Sequence, residues 1–155
     1  MNQRKMNQRT IMTRLALTMA ALTSAGVCWA DQPSVSVAGK PMAPIFATAR
    51  PKGDGWKVTI RDEKEPCTGF FMGKGSQRII VVAPNKVGKA KAPAVSFFHY
   101  VDNSDEIIPG VGSLTVKALG KTTLTLALDI KADDKTRAKQ NFFKGTITAD
   151  ICGPE

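Results

Sequence analysis

The chain has 155 residues, with 22 Lys+Arg against 13 Asp+Glu, a formal net charge of +9 and 43% hydrophobic residues. That length suits one domain. A composition that is 23% charged and 43% apolar is that of a chain able to bury a core, which excludes a disordered tail and a collagen-like repeat.

Residues 1–30 read as a cleaved secretory signal. Arg4, Lys5, Arg9 and Arg14 precede the mainly apolar run from Leu15 to Val27, with no acidic residue among them. The run is too short for the roughly 20 residues that span a bilayer core as a helix, so no permanent transmembrane anchor is expected. Cys28 and Ala30 put small residues at the −3 and −1 positions of a cut before Asp31. No adjacent Arg pair supports a twin-arginine signal, and the residues before Cys28 lack a lipoprotein box. The expected location is periplasmic or secreted. Cleavage removes four of the 22 basic residues and none of the 13 acidic ones, which leaves a charge of +5 and makes nucleic acid an unfavoured partner.

Residues 31–44, with Pro33, Pro41 and Pro44, are expected as a flexible or edge-running lead-in to one domain over residues 45–155. Period-two alternation then recurs between Gly, Pro, Asn and Asp punctuation. Ile45 to Ala49 is a short candidate strand. Trp56 to Arg61 alternates apolar and polar directly after Gly53-Asp54-Gly55, and Gly69 to Met72 adds a further candidate. Ile79 to Ala83 and Val95 to Val101 are continuous apolar and aromatic runs of the kind covered on both faces. Ser113 to Leu119 and Thr123 to Ile130 should form a hairpin across Gly120-Lys121, with Leu124, Leu126, Leu128 and Ile130 inward. Ala132 to Gln140 is the one segment with helical character, worth a turn or two: acids open it and bases close it. Phe142 to Cys152 ends the chain, with a bulge expected at Gly145. The fold class is therefore all-β, a small antiparallel β-sandwich or partly closed barrel of about eight strands.

Once Cys28 leaves with the signal, Cys67 and Cys152 are the two cysteines of the exported chain, and an oxidising compartment pairs them in one disulfide.

Catalytic machinery is not evident. His99 is the chain's single imidazole and sits in an aromatic strand with no sequence signature around it, which suits a packed structural residue better than a base. The carboxylates of Asp62-Glu63-Lys64-Glu65 and Asp102-Asn103-Ser104-Asp105-Glu106 read as solvated turns, and the second group lacks the spacing of an EF-hand. No metal set has ligand spacing, and neither Gly73-Lys74-Gly75 nor Val87-Gly88-Lys89 meets the P-loop pattern, so no metal and no cofactor is expected. One segment reads as a site. Pro84 to Pro93 carries Lys86, Lys89 and Lys91 and no acid, and with Lys74 and Arg78 it could form a patch for an anion or an acidic partner.

The expected function is a non-enzymatic binding protein of the bacterial envelope that holds a protein partner in an inhibitor, immunity or assembly role. The first alternative is electrostatic binding of an anionic glycan or lipid surface through the Lys loop. The second is a small secreted hydrolase using His99.

Overall fold

The computed structural model describes residues 32–64, 67, 77–101 and 104–153. Ten strands follow in chain order: β1 (Ser34–Val37), β2 (Lys40–Pro41), β3 (Phe46–Lys52), β4 (Gly55–Arg61), β5 (Arg78–Pro84), β6 (Gly88–Lys89), β7 (Val95–Val101), β8 (Ser104–Leu119), β9 (Thr123–Ala132) and β10 (Phe142–Ile151). Among the described residues there is no helix. Eight strands have four or more residues, and β2 and β6 are two-residue pairings.

Alternation along each strand sets which side faces in. In β9, Leu124, Leu126, Leu128, Ile130 and Ala132 are buried, while Thr123, Asp129 and Lys131 are exposed. In β5, Ile79, Val81 and Ala83 are buried and Ile80 and Val82 on the other face are half-covered, so this run is less enclosed than its composition suggests. The inward residues converge on one core whose fully buried members include Phe97, Phe143, Ile60, Ile79, Leu114, Leu124 and Leu126. Burial of each such side chain contributes about 1.5–3 kcal/mol.

Antiparallel pairing runs β3-β4-β5-β7-β8-β9-β10, and at the end of β10 Asp150 and Ile151 lie parallel to Thr48 and Ala49 of β3. The ring is thereby closed. Seven strands alternating in direction can close only with one parallel contact, and this short seam supplies it. Of the two architectures expected, the barrel is the one formed, and closure removes most of the sheet edge that a sandwich would expose.

The lead-in, expected as flexible or edge-running, lies along an edge of β10. Ser34, Val35 and Ser36 pair with Lys144, Phe143 and Phe142, on the part of β10 that β3 does not reach, and Val35, Val37 and Met42 are buried in the core. The apolar side chains of this stretch, spaced between its prolines, offset the ordering of the chain. Gly145 permits the approach. No bulge occurs there; its φ is 142°, and a Cβ would stand 2.7 Å from Pro33 Cα. The ladder irregularity lies instead in β8, between Val116 and Ala118.

The β8–β9 hairpin forms with residues 120–122 as its link, closed by the Gly120 N–H donating to the Thr123 carbonyl at 2.8 Å. β8 begins at Ser104, so Asp105 and Glu106, expected in a turn, are strand residues opposite Tyr100 and His99. Residues 133–141 make two i+4 backbone bonds, from Ala138 N–H to Asp134 and from Asn141 N–H to Arg137, and no helix. The candidate strand at residues 69–72 lies outside the described residues. Cys67 and Cys152 are bridged, with Cα atoms 5.0 Å apart. The Cys152 N–H donates to the Ala49 carbonyl, which places the bridge beside the parallel seam.

Candidate functional site

Strand direction sorts the connections between two ends of the barrel. β3, β5 and β8 all finish at the same end, so the links 53–54, 85–94 and 120–122 gather there. β4, β7 and β9 finish at the other. The first end carries Lys52, Lys86, Lys89, Lys91, Lys117 and Lys121, all exposed, with two exposed acids among the described residues, Asp54 and, at the end of β10, Asp150.

The segment Pro84 to Pro93 is held in place rather than hanging from the barrel. Gly88 and Lys89 pair with Val116 and Thr115 of β8, and the Ala90 N–H donates to the Leu114 carbonyl at 2.9 Å. Trp56, packed against the core, donates its indole N–H to Asn85 Oδ1 at 3.0 Å. At the facing β3–β4 hairpin, Gly55 comes so close to β5 that a Cβ there would lie 2.3 Å from the Ala83 carbonyl oxygen.

Between this hairpin and the 84–93 segment lies an open cleft of about 480 Å³. Its floor is Val82, Ala83 and Pro84, with Ala90, Ala92 and Pro93 on the wall, and its rim is Lys52, Lys86, Lys89 and Lys91 with Asp54. Among the described residues none of these four lysines has a carboxylate within ion-pair distance. Like charges held near an apolar surface of lowered dielectric repel one another, and an anion brought among them relieves that repulsion.

Three of the five residues expected at the patch meet here: Lys86, Lys89 and Lys91. Arg78 does not join them. It opens β5 at the opposite end of the barrel, where its guanidinium pairs with Asp105 and stacks 4.5 Å from the Phe98 ring centroid. Lys74 lies outside the described residues. Lys52, Lys117 and Lys121 were not singled out by the sequence, because none of them lies in an acid-free basic run and only the strand order brings them to one end with the 84–93 segment.

The far end is mixed in charge and holds two ion pairs among the described residues. Arg78 binds Asp105, and Arg137 donates to Glu106 Oε1 at 2.7 Å. Asp134 accepts from the Thr136 hydroxyl at 2.5 Å and the Thr136 N–H at 2.7 Å, and these bonds, the side-chain one first, hold its carboxyl below the usual carboxylate range. His99 is half-buried opposite Glu106 in the ladder, and among the described residues its imidazole makes no hydrogen bond. Among the described residues no three His, Cys, Asp or Glu side chains converge as a metal set, and no helix is long and apolar enough to cross a membrane.

Among the described residues three large apolar side chains are exposed: Val87 (63%) at the tip of the Lys segment, and Ile107 (59%) and Val111 (41%) on β8. Comparison with protein-family models, with curated proteins and with solved structures finds nothing that matches this chain.

Proposed function

We propose that this chain is an exported binding protein, not an enzyme, that holds an anionic ligand at the lysine-rich end of its barrel. One observation carries the reading: four lysines, none with a carboxylate at ion-pair distance among the described residues, line one open cleft together with apolar residues and the single acid Asp54. A closed barrel suits the task, since its loops are already ordered and little freedom is lost on binding. The basic, then apolar, run of residues 1–30 and the bridge between Cys67 and Cys152 support export to the periplasm or beyond, because such bonds persist in oxidising compartments. Against a hydrolase, the Glu106 carboxylate opposite His99 is engaged by Arg137.

A protein partner is the second reading, favoured by Ile107 and Val111, which stand exposed on the same outward side of β8. Salt separates the two. Exposed lysines lose their reach when the Debye length falls from about 8 Å at physiological ionic strength to about 3 Å at 1 M. Affinity capture from an envelope extract, washed in parallel at physiological and at high salt, is the test. Acidic glycan or lipid released by high salt supports the anion reading. A single stoichiometric protein that stays bound through high salt contradicts it and establishes the partner reading.

A further inference from the structure

We infer that the anionic ligand is a membrane surface rich in acidic lipid, with Val87 entering the headgroup layer; this rests on the anion-binding reading above. Three features separate a bilayer from a soluble polyanion. The lysines are spread around three neighbouring links at one end of the barrel, Lys52 at the end of β3 before the first, Lys86, Lys89 and Lys91 on the second, and Lys117 near the end of β8 with Lys121 on the third. A flat charged sheet can engage all of them at once, whereas a chain threading the cleft meets only the four at its rim.

The second feature is Val87. It is 63% exposed, the most exposed of the large apolar residues described, and it stands between Lys86 and Lys89 in a ten-residue segment without an acid. An apolar tip ringed by lysines costs solubility in water and contributes only where the tip leaves water, as at the headgroup boundary, while long Lys side chains keep their ammonium groups among the phosphates. The third feature is aromatic placement. Sugar and base recognition draws on exposed rings for stacking. The ring nearest the cleft, Trp56, is packed against the core with its N–H committed to Asn85.

Attachment of this kind is reversible. A single shallow apolar contact plus a basic patch binds only while the surface is anionic and the salt moderate. Each lysine near an acidic bilayer raises partitioning by about fivefold, so several acting together suffice without an anchor.

The test is vesicle sedimentation with the exported chain, purified from the secreting cell so that processing has taken place. Vesicles of phosphatidylcholine, with and without phosphatidylglycerol, are compared with a soluble sulfated oligosaccharide. The expected result is binding to the phosphatidylglycerol vesicles and little to phosphatidylcholine alone. Val87→Ser should lower vesicle partitioning about three- to tenfold and leave oligosaccharide binding unchanged. Lys89→Ser should weaken both. An unchanged denaturation curve for each variant confirms that the fold is intact, as expected for exposed positions. Oligosaccharide binding without vesicle binding, or vesicle binding indifferent to Val87→Ser, overturns the lipid assignment and leaves the anion reading standing. Binding to neither probe overturns both.

Discussion

At Gly112 the backbone has φ of 144°, and a Cβ would stand 2.2 Å from the Asp129 carbonyl oxygen and 2.7 Å from Ile130 Cα. The position sits where β8 passes from its pairing with β7 to its pairing with β9, so the strand bends there with its backbone pressed on its neighbour. Gly112→Ala should cost about 2 kcal/mol or more, since the strained φ and the clash with main chain both count, and urea unfolding measures it. Asp134 offers a residue-scale check on the far end of the barrel. Because folding lowers its pKa, its carboxylate contributes stability above the unfolded value, and that contribution is lost as pH falls through the folded value. Thr136→Ala removes the leading cause, so the Asp134 carboxyl titration followed by NMR should move up toward the ordinary range. An unmoved midpoint would show that the hydroxyl bond does not set it.

Among the elements, the 84–93 segment and the disulfide have opposite roles. Lys86, Lys89 and Lys91 are exposed, and the bonds that hold their segment are made by Trp56, Asn85 and the backbones of Gly88, Lys89 and Ala90. Replacing the three lysines with Ser should therefore leave the melting temperature within a few degrees of the parent while anion affinity falls. The bridge between Cys67 and Cys152 spans 85 residues and restricts the unfolded chain, so Cys67→Ser with Cys152→Ser should cost about 3–5 kcal/mol on the loop-entropy account. Chemical denaturation of the double variant tests this; a cost near zero would place the chain's stability wholly in the barrel core. The period-two pattern made β4, β9 and β10 legible because one face of each is buried, and β5 and β7 were legible as continuous apolar and aromatic runs. β1 was hidden by prolines whose cost Val35, Val37 and Met42 offset through burial. The first half of β8 was hidden because Asp105, Glu106, Pro109, Gly110 and Gly112 resemble turn residues, and pairing with β7 overrides that local preference.

For the whole molecule, the direction of the strands decides where the lysines gather. No single stretch of sequence holds the basic end: Lys52, the 84–93 segment and the β8–β9 link are far apart in the chain and meet because β3, β5 and β8 run the same way around a closed ring. The Lys segment was legible from composition, whereas its three companion lysines required the topology. The resulting polarity sets an end with six exposed lysines and the acids Asp54 and Asp150 against an end of mixed charge where Arg78 and Arg137 are paired with Asp105 and Glu106. Such a molecule should approach an anionic surface with its basic end leading, at a rate that falls with ionic strength.

Hydrogen exchange of the backbone, compared with and without phosphatidylglycerol vesicles, tests this most directly. The account predicts new protection at residues 52–55, 84–93 and 117–122 and none at 133–141. Protection centred on 104–111, or on the far end of the barrel, would contradict it.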